Sequence, residues 1–115
     1  MAAGYQELFL EQGTDFSTTI TLDDVYGEPF MLTGYIGKCQ MKKSYYSTTV
    51  VAEFGVNITD PIGGIISLQL DSPTSANVAP GRYVYDVVIK DTTGANTVTR
   101  VLEGIVNVLP QVTIF

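Results

Sequence analysis

The sequence offers few side chains that could perform acid–base or nucleophilic chemistry. It contains no histidine, the commonest general base and a frequent ligand of transition metals. Its one thiol, Cys39, shares the apolar side of a predicted strand with Met41, and a cysteine in that setting acts as a small hydrophobic residue. We therefore expect no catalytic residue and no enzymatic activity.

Two short segments have residue types that occur in ligand sites. Asp23, Asp24 and Glu28 could offer oxygen ligands to Ca²⁺, but their spacing matches no calcium-binding loop, and Asp with Gly is typical of turns. Gly63 and Gly64 are followed by neither a lysine nor a helix start, so they predict a hairpin turn rather than a phosphate-binding loop. We expect no metal ion, no cofactor and no small-molecule ligand.

Aromatic residues in the predicted loops provide one candidate binding site. Aromatic rings can serve as platforms for sugar rings, and three loop tyrosines could do so here: Tyr26, Tyr45 and Tyr46. Exposed loop tyrosines are also common in proteins that bind no glycan. These three residues are the candidate site for a receptor or a carbohydrate.

Length and charge restrict the classes of partner. The chain has 115 residues, 45% of them hydrophobic, and a net charge of −6, which predicts one folded domain over residues 1–115 and no nucleic-acid partner. No apolar run approaches the roughly 18 residues of a membrane span. The N-terminus resembles no signal peptide, so we expect synthesis in a cytoplasm.

Alternating apolar and polar residues, interrupted by turn residues, predict about seven strands. Their expected ranges are 7–11, 16–22, 35–42, 52–58, 65–70, 82–90 and 97–109. Ser72 and Pro73 predict one short helical turn before the sixth strand. These elements predict an all-β, immunoglobulin-like sandwich of two antiparallel sheets. The pattern alone leaves open a jelly roll or a small barrel.

A finer indication of the immunoglobulin-like sandwich lies at the start of the sixth predicted strand. Gly81 and Tyr83 are spaced as in a tyrosine corner, in which the tyrosine hydroxyl bonds to backbone a few residues upstream. Tyr85 then occupies the position of the second cysteine of antibody domains. Because the chain has no tryptophan and a single cysteine, the likeness is to the general sandwich and not to antibody domains.

The last two predicted strands carry apolar residues on both faces. Val84 and Val88 would point away from the core on the sixth strand, and Val101 and Ile105 would do so on the last strand. A sandwich strand requires only one apolar face, so these residues are candidate contacts with another subunit. The alternative is that valine and isoleucine are simply common in central strands. The apolar tail over about residues 110–115 adds Ile114 and Phe115 to the candidate interface.

Several segments resemble a family of small virion proteins of tailed bacteriophages, especially T4-like phages of marine cyanobacteria. They are 5–16, 32–35, 81–86 and 99–104, with Pro110 shortly after. The sequence is also similar to the immunoglobulin-like N-terminal domains of phage baseplate upper proteins. The resemblance covers nearly the whole chain in order and spacing, although each motif is short.

The resemblance implies a non-enzymatic structural protein of the virion, at the tail, baseplate or neck, made in the host cytoplasm. Its partners would be other virion proteins, and it would occur in several copies in a symmetric assembly. Baseplate-type relatives carry a further C-terminal region, whereas this sequence ends at Phe115. We therefore expect an adaptor or decoration role, with a receptor-binding module or a capsid decoration protein as alternatives.

Overall fold

The computed structural model describes residues 4–24 and 26–114, which form eight strands and one short helix. The elements are β1 (Gly4–Tyr5), β2 (Leu8–Glu11), β3 (Phe16–Thr21), β4 (Tyr35–Lys42), β5 (Ala52–Asp60), β6 (Ile65–Leu70), α1 (Ser72–Ala76), β7 (Gly81–Asp91) and β8 (Val98–Leu109). The predicted all-β class is confirmed. Most predicted strands lie within two residues of the observed ones.

The strands are hydrogen-bonded in the order β1-β8-β7-β4-β5-β6-β3, with β2 also on β8. The chain of pairings folds into two layers because β5 changes partner along its length. Its first residues, around Phe54, pair with β4, and its later residues, from Gly55 onward, pair with β6. One layer therefore contains β4, β7 and β8, and the other contains β3 and β6.

The N-terminal region differs from the predicted single antiparallel strand. It forms two short strands, β1 and β2, and both run parallel to β8. The sheet is therefore mixed, and the described strands number eight rather than about seven. Alternation of residue types cannot distinguish these cases, because it reports which face a side chain occupies and not the direction of the neighbouring strand.

One apolar core fills the space between the layers. Its buried side chains include Ile20, Phe54, Leu68 and Val87, together with Cys39 and Met41 from the predicted apolar side of β4. The predicted tyrosine corner is also confirmed: the hydroxyl of Tyr83 donates to the carbonyl of Ala79 at 2.6 Å. This bond holds the segment between α1 and β7 against the end of the sandwich.

The short helix begins one residue earlier than predicted. Asp71, not Ser72, is its N-cap, and the Asp71 side chain accepts from the backbone N–H of Thr74 at 3.1 Å. The side-chain hydrogen bond with Thr74 lowers the pKa of Asp71. The helix is tied to the loop after β2 by Ser75, whose hydroxyl donates to the carbonyl of Thr14 at 2.8 Å.

A buried hydrogen bond attaches the N-terminal segment to the core. The hydroxyl of Tyr85 donates to the carbonyl of Gln6, between β1 and β2, at 2.6 Å. The backbone of Gln6 approaches β8 so closely that a Cβ atom on Gly104 would lie 2.0 Å from that carbonyl oxygen. A glycine is therefore required at position 104 for the bond to form.

Cys39 lies fully buried on β4, opposite Phe54 on one side and Val87 on the other. Burial raises the pKa of its thiol to about 12, with a smaller contribution from the nearby Asp86 carboxylate. Burial also raises the pKa of Tyr85. Neither group can ionise in the folded chain at neutral pH, so Cys39 is a core residue and not an available nucleophile.

We expect Gly104→Ala to lower the free energy of unfolding by about 1–3 kcal/mol, because the new methyl group must push the Gln6 backbone away from β8. Urea unfolding followed by circular dichroism measures the difference. Gly55→Ala is the matched control, since its Cβ would meet only an ordinary contact at 3.8 Å. Equal unfolding midpoints for the two variants would contradict the close approach at Gly104.

We also expect stability to fall at alkaline pH in a way that depends on Cys39. Above a pH of about 9 the unfolded chain releases the thiol proton, whereas the folded chain retains it up to about 12. The proton therefore favours the folded state, and that advantage disappears as the pH rises. Between pH 8 and 10, the wild type should lose about 1 kcal/mol more than Cys39→Ala. Parallel pH profiles for the two proteins would show that the thiol is not buried.

Candidate interaction surface

The outward side chains of β4, β7 and β8 form one continuous surface, which we call the outer face. Register places them in rows across the three strands. One row joins Lys42, Val84 and Ile105, and the row two residues along joins Gln40, Asp86 and Glu103. The complete outer face is Ile36, Lys38, Gln40, Lys42, Arg82, Val84, Asp86, Val88, Lys90, Val98, Arg100, Glu103, Ile105 and Asn107.

Three of the predicted interface residues lie together on the outer face. Val84 and Ile105 are direct cross-strand partners, and Val88 lies two rows beyond, past the row of Asp86. All three are half-buried in the single chain. The structure adds two aromatic residues that the sequence analysis did not include: Tyr5 and Phe9, exposed on the register rows of Glu103 and Asn107. Only the parallel pairing of the N-terminal strands reveals their position.

The prediction that Val101 lies on this surface is wrong. Its side chain is 1% exposed and belongs to the core. The pairing of β7 with β8 shifts register between Val87 and Val88. This bulge inserts an extra residue into β8, so Val101 and its neighbour Leu102 are both buried. Strict alternation, counted back from Ile105, therefore assigns Val101 to the wrong side.

The outer face is concave at the end near β4's first residues. A depression of about 440 Å³ is lined there by the apolar side chains of Ile36, Val88 and Val98, with Lys38 and Lys90 among its other lining residues. A second depression of about 300 Å³ lies farther along the same face. Gln40 and Asp86 complete its polar lining, so the first depression combines apolar walls with two lysines and one carboxylate.

Basic side chains are concentrated on this surface. The chain's six Lys and Arg residues are Lys38, Lys42, Lys43, Arg82, Lys90 and Arg100; five are on the outer face and Lys43 directly follows β4. In the described residues two ion pairs form, Lys38–Glu53 at 3.8 Å and Arg100–Glu103 at 3.1 Å. Both pairs are partly exposed, so they contribute little to folding.

The C-terminal tail leaves the sheet after β8 and remains exposed. Ile114 is 74% exposed, and its neighbour Val112 is almost fully exposed. The remaining predicted tail contact, Phe115, lies outside the described residues. The described part of the tail therefore presents apolar side chains to the surroundings, as a contact segment would.

The three candidate tyrosines do not form one platform. Tyr26 lies in the loop before β4, whereas Tyr45 and Tyr46 follow its last residue. Since β4 has eight residues, its two ends are separated by about 25 Å. Tyr26 and Tyr46 are highly exposed, but Tyr45 lines the second depression of the outer face. A single sugar ring could not contact all three.

The acidic segment between β3 and β4 is a tight turn. The side chain of Asp24 accepts from the backbone N–H groups of Tyr26 and Glu28, at 2.8 and 3.1 Å. This local bonding is the ordinary role of Asp in a turn. Over residues 4–24 and 26–114, no cluster of three or more potential ligand side chains could hold a metal ion.

The described part of the chain also contains no helix long and apolar enough to cross a membrane.

Comparison with known proteins identifies the fold. No protein-family model matches the chain, and no curated protein matches it either. A chain in the crystal structure of ICOS in complex with ICOS-L and an anti ICOS-L VNAR domain is similar, with a TM-score of 0.50 and 14% identity. The match covers 93% of this chain and 56% of that one, so this chain spans about half its length.

Two more distant structures are also similar. The Lin-41 filamin domain has a TM-score of 0.41 and 16% identity, and the match covers 81% of each chain. A family 123 glycoside hydrolase from Clostridium perfringens has a TM-score of 0.41 and 11% identity, over 95% of this chain and 23% of that one. At such identities a likeness concerns architecture and not activity. The chain has an all-β, immunoglobulin-like fold, as the strand pattern predicts.

Proposed function

We propose that this chain is a non-enzymatic structural subunit of a tailed-phage virion, at the tail, baseplate or neck. It acts through protein–protein contacts of the outer face. The virion assignment is supported by the resemblance of segments 5–16, 32–35, 81–86 and 99–104 to small phage virion proteins. The contact surface is supported by the apolar, partly covered side chains on β7 and β8.

The contrast between the two sheets carries the proposal. The outward residues of the other layer include Ser17, Thr19, Asn57 and Gln69, which are polar and exposed. If strand propensity alone placed valine and isoleucine on the outer face, both layers should show them equally. Instead, the outer face carries Val84, Val88 and Ile105, whereas Ile65 is the one apolar outward residue described on the strands of the other layer. A sheet face with apolar residues marks an interface more often than a solvated surface.

A catalytic role has no support in the geometry of the chain. Cys39 is sealed in the core with a pKa raised to about 12, and the carboxylate of Asp24 is occupied by its own turn. The outer face instead offers packing surface and charge, which are the means by which adaptor and decoration subunits bind neighbours.

Replacing an apolar side chain of the outer face with a carboxylate should prevent incorporation into particles. In a phage that encodes this chain, Val88→Asp and Ile105→Asp should each reduce the copies per purified particle by at least about tenfold, because the carboxylate would be desolvated on binding. Quantitative mass spectrometry of the particles measures the copies. Thr19→Asp and Asn57→Asp, on exposed strand positions of the other layer, are the controls.

Two results would contradict the proposal. Absence of the wild-type chain from purified particles would overturn the virion assignment. Normal incorporation of both outer-face variants would overturn the contact surface. Circular dichroism of each purified variant must show a folded chain, so that loss of incorporation reports a lost contact rather than unfolding.

A further inference from the structure

We propose that the first depression of the outer face receives a second copy of this chain, which inserts its acidic loop end. The loop end consists of residues 22–24 and 26–32, before β4, together with residues 61–64 between β5 and β6. The inference deepens the proposed function, since it names one partner of the outer face. It concerns contacts between copies and not the location in a particle.

The distribution of charge is the first argument. All six basic side chains lie on the outer face or directly beside it. The outer-face layer and its edges also carry six carboxylates, which balance these cations: Glu7, Glu11, Glu53, Asp86, Asp91 and Glu103. The six remaining carboxylates, which lie elsewhere, are Asp15, Asp23, Asp24, Glu28, Asp60 and Asp71. The net charge of −6 therefore lies outside this layer, so an acidic region of a second copy meets less repulsion there than on the rest of the surface.

The loop end is an acidic and partly apolar projection. Backbone hydrogen bonds join its two segments: Leu22 N–H donates to Gly64 at 2.7 Å, and Leu32 N–H donates to Pro61 at 2.8 Å. Its carboxylates are Asp23, Asp24, Glu28 and the adjacent Asp60. Its exposed apolar side chains are Tyr26, Met31 and Ile62, which are 85%, 58% and 70% exposed.

The depression matches this projection in both charge and polarity. Its apolar lining, Ile36, Val88 and Val98, can receive a ring or an aliphatic side chain such as Tyr26 or Ile62. Lys38 and Lys90 also line it, and Lys90 makes no ion pair with any carboxylate of the described residues. Asp86 lines the depression as well, so two lysines stand there against one carboxylate. The remaining positive charge complements the carboxylates of the loop end.

Pairing two outer faces with each other is the less favourable alternative. That arrangement would leave the carboxylates of both loop ends without cationic partners. Insertion of the loop end instead pairs unlike charges and uses two different surfaces. Contacts between unlike surfaces continue from copy to copy into a ring or a filament, which fits the symmetric assembly of several copies that the resemblance implies.

Sedimentation equilibrium of the purified chain provides the test. At low ionic strength the wild type should self-associate at about 0.1 mM, and about 0.5 M NaCl should weaken the association at least tenfold, since screening acts on the charge pairs. Two variants test the contact: the face variant carries Lys38→Glu with Lys90→Glu, and the loop variant carries Asp23→Lys with Glu28→Lys. Each variant alone should self-associate at least tenfold more weakly than the wild type.

Mixing the two variants distinguishes insertion from a general effect of net charge. The loop end of the face variant and the depression of the loop variant are both unaltered, so an equimolar mixture should recover association. Two control variants change the net charge equally outside the outer face: a quadruple variant of the other layer, Ser17→Glu, Thr19→Glu, Asn57→Glu and Gln69→Glu, and the pair Glu7→Lys with Glu11→Lys. They should leave the association within about threefold of the wild type.

Three outcomes would overturn the inference: a monomeric wild type at low ionic strength, failure of the mixture to associate, or a loss of association in the control variants equal to that of the face and loop variants. A monomer would mean that the depression serves another protein. Particle incorporation is measured independently, so a monomeric chain that still enters particles through Val88 and Ile105 would leave the proposed function intact.

Discussion

The hydrogen bond from Tyr85 to the carbonyl of Gln6 organises the sheet that carries the outer face. It draws the N-terminal segment against β8, at the one position where Gly104 leaves room for backbone. With β1 and β2 on its far side, β8 becomes an inner strand with neighbours on both edges. Ile105 thereby lies near the middle of a sheet rather than at its margin, flanked by Tyr5 and Phe9. A broad face of this kind can support an interface, whereas an open edge strand invites unspecific pairing.

The asymmetry between the two layers has a physical consequence. Threonine and serine satisfy the strand preferences of β3 while remaining compatible with water, so that layer can stay solvated. Valine and isoleucine on β7 and β8 satisfy the same preferences but leave apolar surface partly exposed. Every lysine and arginine lies on the latter layer or directly beside it, where carboxylates of the same layer balance them, so the chain's excess negative charge lies on the rest of the surface.

The sequence predicted the local elements well because each depends on neighbours along the chain. The alternation around Cys39 and Met41 correctly assigned the inner side of β4, and the spacing of Gly81 and Tyr83 correctly predicted the tyrosine corner. Two predictions were wrong, for different reasons. The N-cap of the helix is Asp71 rather than Ser72, a local difference between two residues that both cap helices well. Val101 was assigned to the wrong face because a bulge in the pairing with β7, a distant segment, shifts the alternation along β8.

The sequence by itself determined the all-β class, the inward faces of the main strands and the overall negative charge. These properties follow from residue type and from the period of two along a strand. Tertiary structure alone decided the parallel placement of β1 and β2, the separation of Tyr26 from Tyr45 and Tyr46, and the gathering of basic residues from β4, β7 and β8. Strand pairing brings together residues that are tens of positions apart, and no local pattern encodes which strands become neighbours.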